Sequence, residues 1–180
     1  RQRILFSMHM DAIVQHLMAH VIEQNTLRLE AVFDGERPVG STRDMRTWYT
    51  TRVAEPTQRS QISHIVVDSG WEKFAANVAE THPDVAAWAK NDHLGFHILY
   101  LWNGTKRKYI PDFLVRFKSG KTLVLEIKGE DSPQDQAKRR AMDQWVQAVN
   151  AHGGLGIWAW DVVVGSMAAM QDVMAKHASQ

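Results

Sequence analysis

The sequence predicts an α/β sandwich built on a mixed sheet, in the order αβββαβ, with a helical and extended arm in front. Three observations predict it. Residues 96–102, 109–117 and 121–128 read as strands. Helices with clear start and stop signals flank them. A chain of 180 residues with 44% hydrophobic and 23% charged side chains can bury a single sizeable core. That composition sits near the globular average and excludes collagen-like or wholly disordered classes. No cysteine is present, which excludes a disulfide framework, a thiolate zinc site and a cysteine nucleophile. No apolar run approaches the roughly 18 residues that would span a bilayer. With Arg1 at the start and no signal peptide, the expectation is a cytoplasmic domain cut from a longer chain.

From residue 4 to about 30 the chain reads as one helix, free of Gly and Pro until Gly35. Residues 34–61 are polar, Arg-rich and broken by Gly and Pro, which predicts a partly extended connector. The expected division is therefore 1–61 as arm and 62–180 as domain. Within the domain, residues 65–69 read as a short apolar strand or as the lead-in to a helix. Trp71, Phe74, Ala75 and Val78 then recur at i, i+3, i+4 and i+7, the stripe of an amphipathic helix. A further helical turn is expected over about 84–91. After the three strand-like runs, Ser132-Pro133 supplies an N-cap and a first-turn proline, and Gly153-Gly154 ends the helix. Residues 155–164 predict a buried strand and 166–177 a closing amphipathic helix.

The sharpest chemical signal is Pro111-Asp112, thirteen residues, then Glu126-Ile127-Lys128. Two carboxylates and a lysine are what metal-assisted phosphodiester hydrolysis requires. Hard oxygen ligands hold Mg²⁺ or Mn²⁺, the metal acidifies a water, and a cation offsets charge growing on the phosphate. Side chains alternate along a strand, so Glu126 and Lys128 share one face while Leu125 and Ile127 share the other. Asp112 must meet them across a hairpin. If Lys118-Ser119-Gly120 forms a three-residue loop with Gly120 left-handed, Phe117 pairs with Lys121 and Asp112 lands opposite Glu126. A two-residue loop would turn Asp112 to the wrong face. Glu126 also lies within an apolar run, Leu123-Val124-Leu125-Glu126-Ile127, where a carboxylate needs a partner or a metal.

The net charge of +1 reads at first against a nucleic-acid partner. Its distribution reads the other way. Between Thr105 and Gly129 the basic residues are Lys106, Arg107, Lys108, Arg116, Lys118, Lys121 and Lys128, and the only acids are Asp112 and Glu126. The segment carries +5 and the remainder −4. Such a stripe suits a phosphate backbone, with Lys106, Arg107, Lys108 and Arg116 as candidate nucleic-acid contacts.

With these residues the chain resembles the PD-(D/E)xK nuclease superfamily, and more narrowly the C-terminal endonuclease domain of type III-like restriction enzyme subunits. The carrying segments are SHIVVDSGWE, VAAWAKNDHLGF, RKYIPDFLVRF, LVLEIKG and WVQAVN. The resemblance implies a restriction-endonuclease-like core that hydrolyses DNA phosphodiester bonds with Mg²⁺ or Mn²⁺. It implies Asp112 and Glu126 as metal ligands, helped by the carbonyl of Ile127, and Lys128 as the residue that positions water and stabilises the phosphate. Glu72 matches an acidic residue on the first core helix of many relatives that reaches the metal. Ser69-x-x-Glu72 is equally a capping box. Lys138, near the start of the next helix, either aims at the site or snorkels. Arg140 stands where many relatives carry tyrosine. The implied partners are DNA, helicase-like ATPase domains upstream in the full-length chain, and a modification methyltransferase subunit. The rival reading is a catalytically silent nuclease-like module that binds DNA or braces the motor.

Other signals weigh less. His16 and His20, four apart, lack the glutamate of a zinc-protease motif and read as a helix face. Trp71, Trp88, Trp145 and Trp158 read as core. Trp48-Tyr49 among Arg43, Arg46 and Arg52 reads either as a base-stacking pair or as a docking point for the arm on the expected upstream domain.

Overall fold

The computed structural model describes residues 2–25, 40–67, 69–128, 132–164 and 166–179. The first helix, α1, covers Gln2–Asn25, and the remainder of the expected helix to residue 30 lies outside the described residues. Residues 40–53 are irregular apart from a single 3-10 turn at Thr42–Asp44 and a bend at Thr51-Arg52. Strand β1 (Ala54–Pro56) then pairs antiparallel with β2 (His64–Val66), so this ribbon straddles the expected 61/62 boundary.

The central sheet has four strands: β3 (Val85–Lys90), β6 (Phe113–Phe117), β7 (Lys121–Lys128) and β8 (Ile157–Val164), in spatial order β3-β6-β7-β8. The first two pairings are antiparallel, and β7–β8 is parallel. Helix α3 (Pro133–His152) makes the crossover between those parallel strands. Its ends follow the sequence signals, with Pro133 as the first helical residue and Gly153 at φ +72 closing it. One face of the sheet carries α2 (Gly70–Thr81) and α4 (Met167–Ala178), packed on Val85, Trp88, Phe113, Val115, Phe117, Leu123 and Leu125. The other carries α3 and a separate two-stranded ribbon, β4 (Ile98–Trp102) with β5 (Thr105–Tyr109), around Val124, Met142 and Val146. The result is a mixed-sheet α/β sandwich, as the sequence predicts.

Five expectations need correction. The 109–117 run is not one strand: Tyr109 ends β5 and β6 begins at Phe113, with the break at Pro111, which has no N–H for a ladder. Residues 84–91 form strand β3, not a helical turn. One extra residue at Ala86 shifts the register between Val85 and Ala87, a bulge. Burial then falls on Val85, Trp88 and Ala89, a spacing that imitates a helix face. The 96–102 run does not enter the central sheet, because it pairs only with β5 and packs on α3. Strand β8 is half-buried rather than buried, since it lies at the sheet edge, with Ile157 64% exposed. Trp71 is 38% exposed; the packed stripe of α2 is Ala75, Ala76, Val78 and Ala79, small residues that let the helix lie close to the sheet. Among the described residues no helix is long and apolar enough to cross a membrane.

Candidate active site

The β6–β7 hairpin adopts the predicted register. Phe113 pairs with Leu125, Val115 with Leu123 and Arg116 with Thr122, and Gly120 takes φ +89 while its N–H donates to the Phe117 carbonyl. One step beyond the ladder, Asp112 stands opposite Glu126. Its Oδ2 accepts the backbone N–H of Ile127 at 2.7 Å. Asn91, the residue after β3, fixes the other side of the turn. Its N–H donates to the Asp112 carbonyl at 2.7 Å, and its side-chain amide donates to the carbonyls of Pro111 and Phe96 at 2.9 and 2.8 Å.

Glu126 is 8% exposed, and its Oε2 is buried without a hydrogen-bond partner. Burial, then the neighbouring Asp112 carboxylate, pushes it up to about 7, against the pull of Lys128, the Tyr109 hydroxyl and Lys138. Burial likewise raises Asp112, with Glu72 adding to the effect and the Ile127 N–H, Lys128 and Lys90 opposing it. Tyr109, the last residue of β5, is pushed well above the usual range by burial and by Glu126. Two desolvated carboxylates side by side, one with an unused oxygen, offer the hard donors that a small divalent cation requires.

Lys128 shares the Glu126 face of β7, with its ammonium 3.5 Å from Glu126 Oε1. Its shorter contact is to Asp135 Oδ1 at 2.6 Å. Asp135, 4% exposed, also accepts from Lys138 at 2.9 Å and from the N–H and hydroxyl of Ser132 at 3.0 and 2.6 Å. Burial opposes these bonds, but they win and hold the Asp135 carboxyl far below the usual aspartate range. Lys138 additionally lies over the Tyr109 ring, 5.6 Å from its centroid. It therefore joins the cluster around the hairpin. Lys128 is lowered by burial but raised more by Asp135 and Glu126, so it stays a cation.

Glu72 sits in the first turn of α2, where its N–H donates to the Ser69 hydroxyl at 3.1 Å. Its carboxylate pairs with Lys90 at 3.1 Å. Among the described residues no three or more His, Asp or Glu side chains gather as a metal site. The constellation thus consists of the Asp112–Glu126 pair with Lys128, and Glu72, ion-paired with Lys90, acts on Asp112 electrostatically. Lys106 and Lys108 are exposed on the outer face of the β4–β5 ribbon, paired with Leu101 and Leu99, and Arg107 is exposed opposite Tyr100. Arg116 is not brought to the carboxylates. It lies four residues from Asp112 toward the hairpin turn, about 13 Å along a strand, and its guanidinium donates to the Thr122 hydroxyl. Lys121 is buried and donates to the His177 carbonyl, so it contributes nothing to a basic surface. The Trp48 ring packs, tilted, against His93 with centroids 4.4 Å apart, so it docks the arm on this domain rather than on an upstream one, while Tyr49 is exposed.

Sequence reasoning did not single out Lys90, Asn91, Tyr109 or Asp135. Two of them left a signal. Ser132-x-x-Asp135 has capping-box spacing, and Tyr109 ends the basic strand two residues before Pro111.

Fold and site define an α/β protein that presents an Asp–Glu–Lys constellation across one hairpin of a mixed sheet. The chain is similar to the head completion nuclease of Enterobacteria phage T4, with 26% identity over 130 residues, covering 66% of this chain and 77% of that protein. No family model and no solved structure matches.

Proposed function

We propose that this chain is a metal-dependent endonuclease that hydrolyses DNA phosphodiester bonds through the PD-(D/E)xK constellation Asp112, Glu126 and Lys128. The observation that carries it is the hairpin register, which sets Asp112 opposite Glu126 with Lys128 on the same face. The similarity to a phage nuclease supports the nuclease part of the reading. The finer setting rests on the sequence segments: a restriction enzyme of type III-like architecture, with helicase-like ATPase domains upstream and a methyltransferase partner.

In this reading Asp112, Glu126 and the Ile127 carbonyl hold Mg²⁺ or Mn²⁺, with Glu72 at the margin of the site. A divalent ion bound there supplies Lewis-acid polarisation of the phosphate and acidification of water. The chain's own groups do the rest. Asp112 is oriented by the Ile127 N–H and by the turn that Asn91 clamps. The Tyr109 hydroxyl lies beside Glu126 and opposes the upward push of burial on its carboxyl, and the apolar strand around Glu126 keeps water off that carboxylate. Lys128 presents a fixed cation to the charge that grows on the phosphate oxygens. Lys106, Arg107 and Lys108 offer exposed charge for the backbone of the duplex.

The test is incubation of supercoiled and linear DNA with the protein in Mg²⁺ or Mn²⁺, beside an EDTA control and Asp112→Ala. Metal-dependent nicking that disappears in the variant is expected. Equal nicking by both proteins would overturn the site. Salt-sensitive binding without cutting would favour the silent module.

A further inference from the structure

The β4–β5 ribbon has two unlike faces. Cross-strand partners share a face, so Ile98 with Tyr109 and Tyr100 with Arg107 lie on one side, and Leu99 with Lys108 and Leu101 with Lys106 on the other. Ile98, Tyr100 and Tyr109 are buried in the cluster that α3 shares. The outer face is open. Leu99 is 46% and Leu101 52% exposed, and both lysines are exposed. Residues 98–109 carry three basic side chains, Lys106, Arg107 and Lys108, and no Asp or Glu.

A ribbon face that meets only water carries polar side chains at its outward positions. Lysines there also discourage pairing with stray strands. Leucines do neither, yet here each outward lysine has a leucine directly opposite. That combination suits a surface with anions at its rim and apolar groups within. A DNA duplex has both, phosphates along the groove walls and thymine methyls among the base edges. Size selects the groove. Two strands about 4.8 Å apart, with their side chains, fit the major groove, about 12 Å wide, and not the minor groove, about 6 Å wide. Leu99 and Leu101 stand two residues apart, about 6.7 Å along the strand, close to two base-pair steps of about 3.4 Å. The tip is compact, since Asn103 and Gly104 both take positive φ, 49 and 70, as a two-residue hairpin turn requires. At the base, Tyr109 lies beside Glu126, so the ribbon rises from the carboxylate pair.

We propose that the outer face of the β4–β5 ribbon enters the major groove of duplex DNA, with Lys106 and Lys108 on phosphates and Leu99 and Leu101 against the base edges. This rests on the DNA-cleaving reading above and adds to it the groove that is entered and two apolar base contacts beside the site. Such contacts discriminate, because thymine presents a methyl in that groove where cytosine presents an amino group. The ribbon thereby biases which phosphates reach the carboxylate pair.

The experiment measures binding of the whole chain to a fluorescent duplex by anisotropy, in EDTA and across a salt series. Methyl green, which occupies the major groove, is expected to displace the wild type, and netropsin, which occupies the minor groove, to leave it bound. Leu99→Ser with Leu101→Ser is expected to bind about 10-fold more weakly at every salt concentration, with the salt slope unchanged, because apolar contact is lost and no phosphate contact is. Its urea midpoint shows that it is folded, and the competition arm on the wild type holds even if it is not. Wild-type affinity in the folded double variant, or displacement by netropsin alone, would overturn the groove contact while leaving the nuclease reading intact. So would a dimer of the wild type in sedimentation that the double variant dissolves, since the face would then cover a second copy. A wild type that binds no duplex even at low salt would overturn the DNA reading itself and the proposal with it.

Discussion

Replacing Asp135 by alanine removes one carboxylate and strands two cations. Lys128 and Lys138 bond its Oδ1 at 2.6 and 2.9 Å, and their side chains are 18% and 23% exposed. Breaking a fully buried pair costs about 3–5 kcal/mol, and an exposed pair about 0–1. This partly wetted cluster falls between, near 2 kcal/mol. The lost bonds to the Ser132 N–H and hydroxyl at the start of α3 add about 1. The total, about 3 kcal/mol, corresponds to a drop of about 6–12 °C in Tm for a domain of this size. Asp135→Asn, which can still accept from Ser132, should lose about two-thirds as much. The assay is urea denaturation as a function of pH. The Asp135 carboxyl lies below its ordinary 3.8, so its contribution is fully present above that value and lost only as pH falls through the lower folded value. The gap between wild type and Asp135→Ala should therefore stay constant from about pH 7 to 5 and narrow in stronger acid. In the nicking assay, freeing Lys128 should slow the reaction by about 10–100-fold. A gap that closes between pH 7 and 5, or an Asp135→Ala protein with wild-type rate, would refute the claim that Asp135 holds Lys128 in place.

Three further outcomes follow from the same geometry. Lys106→Ala with Lys108→Ala should lower the slope of log affinity against log salt for duplex DNA by about 2, while Arg116→Ala should leave it unchanged; fluorescence anisotropy across a salt series reads both. Gly120→Ala meets no atom closer than the Arg116 guanidinium at 3.9 Å, so its cost is the left-handed backbone alone, about 1–2 kcal/mol. A shift in urea midpoint at constant m-value, with nicking retained, checks it. Trp88→Phe removes the indole N–H that donates to Glu80 Oε2 at 2.7 Å at the margin of the core, a charge-assisted bond worth about 1.5–3 kcal/mol in equilibrium denaturation.

The legible part of the site was the part written in local geometry. Strand alternation placed Glu126 and Lys128 together, and a single glycine at the turn sufficed to count Asp112 back to the right face. Helix α3 was equally readable, because Ser132, Pro133 and Gly153 mark its ends by backbone chemistry. What escaped is set by distant partners. The bulge at Ala86 gives β3 a helical spacing of buried residues, and only the antiparallel ladder with β6 shows it to be a strand. Lys90 reads as the polar end of an alanine-rich run until Glu72, from a different helix, is seen beside it. The basic stripe divides for the same reason. A sequence count cannot distinguish exposed Lys106 from Lys121, which is buried against α4.

The β4–β5 ribbon leaves the central sheet after Lys90 and returns at Phe113, two residues that are paired neighbours in the sheet. Asn91 ties the departing and returning segments together at the base through two hydrogen bonds, to the Asp112 and Pro111 carbonyls, and a third to Phe96 steadies the departing loop. The excursion between them therefore spans almost no distance in the sheet, and ribbons of other lengths could be grafted there with the base kept closed. The carboxylate pair would stay in register while the exposed surface of Lys106, Arg107 and Lys108 changed. Tyr109, at the returning end of the ribbon beside Glu126 and under Lys138, is the one ribbon residue that would have to be kept with the base.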